Sequence, residues 1–423
     1  MSILLGTFIL LMVLKTPVSF SLFVSSVVYL VANDMPVIIA VQRMAAGPDS
    51  FPLLAVPGFI LAGAIMNTAG ITERLFFFAN KCVGHITGGL GHANILASII
   101  FAGMSGTAIA DAAGLGAVEL KAMKDRGFDD DFSLAVTGAS STIGPIIPPS
   151  VPAVLFGVVA SVSIGRLFAG GFIPGVIMGA AISALVYLQA KKRGYPKDPK
   201  PTTNELWQAF KYAFFPLVTP VIIIGGILAG VFTPTEAAFI TVIYSIFLGF
   251  AYRSITPKAL IGFVRETANT TISVMFIVAS SAIFGWILAS EQMPQKLSEL
   301  FLVSFPNKYV ALFVINVLLL IAGSFMETIA AITILTPVLL PVVVGFGVDP
   351  VHFGIIMILN LMIGLLTPPV GMVLYVLAAV SRVPFEKIAN AVIPYVVVLV
   401  TVLFILTYVP FFVLWLPNLM FGA

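Results

Sequence analysis

The sequence predicts an all-α polytopic membrane protein built from two inverted repeats, each carrying a re-entrant helical hairpin and a broken helix. Three observations predict it. Composition comes first: of 423 residues, 60% are hydrophobic and 9% charged, with a mean hydropathy of +1.12. A soluble domain carries about 45–50% apolar and about 25% charged residues. The second is internal repetition: Ile143-Gly144-Pro145-Ile146-Ile147-Pro148-Pro149 returns as Ile363-Gly364-Leu365-Leu366-Thr367-Pro368-Pro369, an offset of 220 residues. The third is the uneven placement of Lys and Arg along the chain.

The elements follow in chain order. Apolar runs predict spans near 2–14, 17–32, 51–68, 132–163, 169–190, 213–231, 235–252, 269–289, 353–380 and 389–415. In lipid the backbone must bond within helices or a closed barrel. Barrel strands would alternate, and Val396–Leu406 does not. The N-terminus is apolar from Ile3 without a basic segment before it, so it reads as a retained span rather than a cleaved signal. Two less regular stretches, 70–123 and 291–344, are rich in Gly or Pro. Within them hairpins are expected at about 89–123 and about 309–344. Broken helices are expected at 132–163 and 353–380, where Gly and Pro interrupt long apolar runs.

The repeat extends past its strongest motif. Ala102-Gly103 pairs with Ala322-Gly323, Gly63-Ala64-Ile65-Met66 with Gly285-Trp286-Ile287-Leu288, and Thr16-Pro17 with Thr233-Pro234. The first repeat is therefore 1–190 and the second 213–423, with a linker and amphipathic segment at 191–212. Placing that basic linker in the cytoplasm puts 17 of the 21 Lys and Arg residues inside, leaving Arg43, Arg166, Lys296 and Lys308 outside. The loop Lys121 to Asp131 then faces inward. Its counterpart, Gly345 to Phe353, lacks Lys and Arg and faces outward. The two halves are inverted.

Two broken helices at matching positions of two halves are a pointer to the binding site of a secondary transporter. Proline lacks an N–H, so the carbonyl four residues earlier loses its helical partner. Pro145, Pro148 and Pro149 free the carbonyls of Ser141, Gly144 and Pro145, with the hydroxyls of Ser140, Ser141 and Thr142 at the same level. Pro368 and Pro369 free Gly364 and Leu365, with Thr367 beside them. Such oxygens suit a monovalent hard cation, Na⁺ above all. The plainer alternative is a proline kink satisfied by a neighbouring hydroxyl or water.

The hairpin tips, Gly103-Met104-Ser105-Gly106-Thr107 and Gly323-Ser324-Phe325-Met326-Glu327-Thr328, face these breaks. They offer Ser105, Thr107, Ser324, Glu327 and Thr328 to a substrate, and helices starting at the tips would aim positive ends at an anion. The plainer alternative is close helix packing by small residues. Asp111 and Glu327 are acidic at membrane depth, where acids are costly. Either could ligate Na⁺, carry a proton, or accept bonds from nearby N–H groups. Glu236 reads as a first-turn helix charge. Lys and Arg lie almost entirely at span ends, so an acidic substrate would be held by tip N–H groups, hydroxyls and bound Na⁺.

Other functions fit poorly. One cysteine, Cys82, allows no internal disulfide, and His85, His92 and His352 leave little for a metal. Gly103-Met104-Ser105-Gly106 matches the Gly-x-Ser-Gly of intramembrane serine proteases, but no histidine sits mid-span to serve as base. The chain is therefore not expected to be an enzyme. No nucleic-acid partner is expected; the partner surface is the lipid bilayer.

The chain resembles the large membrane subunit (DctM type) of tripartite ATP-independent periplasmic (TRAP) transporters, over essentially its whole length. The resemblance is carried by Ser105-Gly106-Thr107 with Ala110-Asp111-Ala112-Ala113, by Gly144-Pro145-Ile146-Ile147-Pro148-Pro149-Ser150, and by Ile363-Gly364-Leu365-Leu366-Thr367-Pro368-Pro369-Val370-Gly371. It implies Na⁺-coupled import of an organic acid across a bacterial inner membrane by an elevator-type transporter. It also implies a small four-helix membrane subunit and a periplasmic substrate-binding protein. No helices precede Ile3, so the small subunit is expected on a separate chain. By resemblance, Na⁺ ligands fall at the first tip (Gly103, Ser105) with Ser140, Ser141, Thr142 and Gly144. A second set is Gly323 and Thr328 with Gly364, Leu365 and Thr367. The chain departs from the family where many members have Asp-Pro and it has Glu327-Thr328. The substrate is expected in the sialic-acid or C4-dicarboxylate class, with Met104 and Ala110-to-Gly116 favouring sialic acid. The alternatives are a passive channel or the permease of an ATP-driven importer, whose coupling loop Glu236-Ala237-Ala238 resembles.

Overall fold

The computed structural model describes residues 1–305 and 307–422. Pro306 and Ala423, both inside the second repeat as bounded above, lie outside the described residues. All regular structure among the described residues is helical. Among the described residues, eight helices are long and apolar enough to cross a bilayer.

From the connecting helix onward, both halves run through a hairpin, two half-helices and a long helix, and the second half adds Phe411–Phe421. The first has Ser2–Val13, Val18–Ala32, Ile38–Ala46 and Ala55–Thr68, then a connecting helix Ile71–Val83. Its hairpin is Gly89–Ser105 returning through Ala108 to Asp125, followed by half-helices Asp130–Ser141 and Val151–Ala160 and the long helix Ile164–Arg193. The second has Thr203–Pro220 continuing to Leu228, Pro234–Ala251, Pro257–Ser290 and the connecting helix Met293–Ser304. Its hairpin is Lys308–Phe325 with Thr328–Gly345, followed by half-helices Pro350–Gly364 and Met372–Ser381 and the helix Phe385–Tyr408.

Helix starts are written locally. Thr202 and Thr233 each close a capping box with the glutamate three residues on, Glu205 and Glu236. Asp349 accepts from the N–H groups of Val351 and His352. Two ends differ from the apolar runs. The run 389–415 is two helices, because Val409 precedes Pro410 and leaves helical geometry (φ −121°, ψ 79°). The helix expected from 269 begins at Pro257, capped by Thr256. Arg265 and Glu266 depress the local hydropathy without breaking the helix.

Each hairpin is tied to its broken helix by a buried amide, at the same place in both halves. Asn94 donates to the Thr137 hydroxyl (2.8 Å) and accepts from Ser140 (2.6 Å). Asn316 accepts from the Asn360 amide (2.7 Å) and donates to Thr407 (3.1 Å). Asn94, Asn316 and Asn360 have no solvent exposure. A buried polar group left without its partner costs about 1–3 kcal/mol. Asn316→Leu is therefore expected to lower unfolding stability in detergent by about that amount. An unchanged denaturation midpoint would show that the clamp does not hold the hairpin.

At the linker end, Arg193 holds Asp131 with two bonds of 2.9 and 3.0 Å. That hydrogen bonding keeps the Asp131 carboxyl below its ordinary range. The sign follows: the contribution is complete above the unfolded aspartate pKa, about 4, and is lost as pH falls through the depressed folded value. Both side chains are about a third exposed, so it is small.

Candidate functional site

The first tip is buried at Ser105, and the second buries Ser324 and Thr328 while Phe325 is exposed. The first arm ends at Ser105, 1% exposed, because Gly106 turns into the left-handed region (φ +64°). Thr107 then caps the returning arm, accepting from the Ala110 N–H at 3.3 Å. In the second hairpin Met326 and Glu327 are extended, and the Glu327 carboxylate accepts from Ile329 (2.9 Å) and Ala330 (3.1 Å). The positive end of the second returning arm is thus already occupied by the chain's own carboxylate. This corrects the expectation that both tips present open helix ends to an anion.

Each tip is latched to its break by one backbone bond. The Gly106 carbonyl accepts from Val151 (3.3 Å), and the Ser324 carbonyl from Val370 (3.2 Å). Between the half-helices, residues 142–150 and 365–371 leave the helical ladder. A side chain at Gly144 would have three oxygens within 4 Å: the Ser141 carbonyl (3.3 Å), the Thr107 carbonyl (3.7 Å) and the Ser105 hydroxyl (3.9 Å). The Ser105 hydroxyl is buried and without a hydrogen-bond partner among the described residues. In the second half Gly364 lies directly against the Gly323 backbone, whose carbonyl oxygen would stand 2.6 Å from a β-carbon there.

The freed carbonyls are fewer than proline spacing predicts. Ser141 accepts a turn bond from Gly144 (3.3 Å), and Pro145 accepts from the Ser150 hydroxyl. Gly364 accepts from Thr367 (3.0 Å) and Leu365 from Val373 (3.2 Å). Only the Gly144 carbonyl receives no hydrogen bond among the described residues. The others keep a second lone pair, which is enough for a cation ligand. The hydroxyls of Ser141, Thr142 and Thr367 donate back to Gly138, Ala139 and Ile363, so their oxygens remain acceptors. Ser140 is drawn away into the Asn94 clamp. Gly103 packs its bare α-carbon against Pro220.

A cavity of about 470 Å³ lies between the two tips. It brings together Ser105 and Thr107, Glu327 and Thr328, and Leu365. Ser324, whose hydroxyl bonds Ile321, stays outside it, as do Gly323, Gly364 and the Ser140-to-Gly144 oxygens. The far wall is the helix Pro257–Ser290, which contributes Glu266, Thr270, Ser273, Val274 and Ile277. These fall at i, i+4, i+7, i+8 and i+11, one helical face. Of these, Glu266 lies before the span expected from 269, while the other four lie within it. The polar stripe itself was legible. Asn67, also on the cavity, donates to the Ala110 carbonyl (3.4 Å).

Asp111 opens a π-helical turn, Asp111–Leu115, behind the first tip. It and Glu119, a residue the sequence did not single out, are each 1% exposed, and no backbone N–H donates to either carboxyl among the described residues. Of the three roles open to Asp111, bonding to backbone N–H groups is thereby removed.

The family model of the tripartite ATP-independent periplasmic transporter, DctM component, matches residues 5–412. The chain is 50% identical over 408 residues to the sialic acid TRAP transporter large permease protein SiaM of Vibrio cholerae, covering 96% of each. It is 42% identical to the sialic acid TRAP transporter permease protein SiaT of Haemophilus influenzae, over 97% of this chain and 67% of that one. It is 39% identical to the C4-dicarboxylate large permease protein DctM of Pseudomonas aeruginosa, over 88% and 87%. Among solved structures it is similar in fold to the Alcanivorax borkumensis YdaH transporter, with a TM-score of 0.61 at 16% identity over 88% and 87% of the two chains. The chain belongs to the DctM family of TRAP transporter large permeases, which are transporters and not enzymes, and is a multi-pass protein of the bacterial inner membrane.

Proposed function

We propose that the chain is the Na⁺-coupled membrane subunit that imports an organic acid of the sialic-acid or C4-dicarboxylate class. A separate periplasmic binding protein delivers the acid, and a separate small four-helix membrane subunit braces the chain. The hairpins and half-helices move together against the remaining helices, an elevator-type cycle. The observation that carries this reading is the oxygen cradle at Gly144, where tip and break converge on a buried, unpartnered hydroxyl beside the cavity. Carbonyl and hydroxyl oxygens without a full negative charge suit Na⁺, and the ion offsets the charge of an acid entering a cavity that no Lys or Arg lines among the described residues. Relatives named for sialic acid and for C4-dicarboxylates support the substrate class.

Reconstituted with both partners, the chain is expected to accumulate labelled sialic acid or succinate under an inward Na⁺ gradient and without ATP. Uptake that persists when K⁺ replaces Na⁺ contradicts the coupling. A requirement for ATP would favour the importer reading instead.

A further inference from the structure

The cavity between the tips is chemically lopsided. No Lys, Arg or His lines it among the described residues, while two carboxylates do, Glu266 and Glu327. Glu327 is engaged with the backbone N–H groups of its own helix. Glu266 has no ion-pair partner among the described residues and is exposed to the cavity. On the same helical face, the Thr270 hydroxyl donates to the Glu266 carbonyl (3.1 Å) and the Ser273 hydroxyl to the Asn269 carbonyl (3.1 Å). With their protons engaged, both oxygens face the cavity as acceptors. This wall therefore presents only acceptors, one of them a full negative charge.

The first tip, which lines the same cavity, differs. Ser105 has a hydroxyl proton without a partner, and Thr107, whose oxygen accepts from Ala110, keeps its own proton free to donate. Donors stand at the first tip and acceptors on the helix Pro257–Ser290. An acid entering between them has its carboxylate directed to Ser105 and Thr107. Its other end must carry donors, because a second carboxylate would face Glu266.

We propose that Glu266, Thr270 and Ser273 form a subsite for hydroxyl or amide N–H groups of the substrate, selecting a polyhydroxylated monocarboxylate over a dicarboxylate. The subsite rests on the reading of the cavity as an organic-acid site. It assigns a specificity role to the permease wall that is independent of the binding protein.

The test measures equilibrium binding of two probes, N-acetylneuraminate and succinate, to the purified full chain in nanodiscs with Na⁺ and without the binding protein. Wild type is expected to prefer N-acetylneuraminate. Glu266→Gln removes the charge at nearly constant shape. It is expected to shift the affinity ratio by about ten-fold or more towards succinate, from a like-charge repulsion lifted and a charged acceptor lost. Glu266→Asp should retain the wild-type preference in part, and Thr270→Val should weaken N-acetylneuraminate alone. Wild type that binds succinate as tightly as N-acetylneuraminate, binds neither, or keeps its ratio in Glu266→Gln overturns the subsite. Na⁺-driven uptake by the reconstituted wild type is scored separately, so loss of the transport reading is distinguishable from loss of the subsite.

Discussion

A single methyl group added at Gly364 is expected to reduce uptake by about ten-fold or more while leaving the protein in the membrane. The β-carbon of Gly364→Ala would collide with the carbonyl carbon, α-carbon and oxygen of Gly323. All three are backbone atoms, so no side chain can swing aside. The second tip and second break must separate, weakening the latch from Val370 to the Ser324 carbonyl. Overpacking of this kind costs about 1–3 kcal/mol, and each 1.4 kcal/mol is ten-fold in a population. Gly6 is the control, since nothing lies within 4 Å of a β-carbon there. Gly6→Ala should transport normally. Equal uptake by both variants would show that close approach of tip and break is dispensable.

The second large effect is expected at Glu327. The carboxylate caps the returning arm of the second hairpin through two N–H groups while lining the cavity. Glu327→Ala leaves both donors open, which costs about 0.5–2 kcal/mol. The open helix end would also attract the substrate anion to the wrong tip. Uptake should fall by about ten-fold. Glu327→Gln keeps an acceptor oxygen and should retain most of the activity. If Gln is as damaging as Ala, the charge itself is required, and the residue acts on an ion rather than on its helix.

What could be read in advance follows from where each constraint resides. The breaks at 142–150 and 365–371 were legible because Pro148-Pro149 and Pro368-Pro369 remove donors wherever they stand. The first tip was legible because Gly106 is one of few residue types that accept φ +64°. The carbonyl inventory was less so. Whether Ser141 or Gly364 stays open depends on turn bonds from Gly144 and Thr367 that form only after the chain folds back. For Glu327, accepting from nearby N–H groups was one of three roles open in the sequence, and the helix start one residue later, at Thr328, brings those groups to it. Of the wall residues, Thr270 and Ser273 lie within the span expected at 269–289, whereas Glu266 lies before it because the helix begins at Pro257. The Asn94 and Asn316 clamps repeat at nearly the motif's own offset and could have been found there.

The proposed transport mechanism requires two halves of opposite orientation that bring their tips to one cavity from opposite faces of the bilayer. Cysteine labelling in intact cells tests this directly. On a Cys82→Ser background, Lys124→Cys lies at the open end of the first hairpin and Lys308→Cys at that of the second, and both native side chains are exposed. An impermeant maleimide should label the residue at 308 from outside and reach the residue at 124 only after the membrane is opened. Labelling of both from the same face would contradict the inverted arrangement and the shared cation and substrate site built on it.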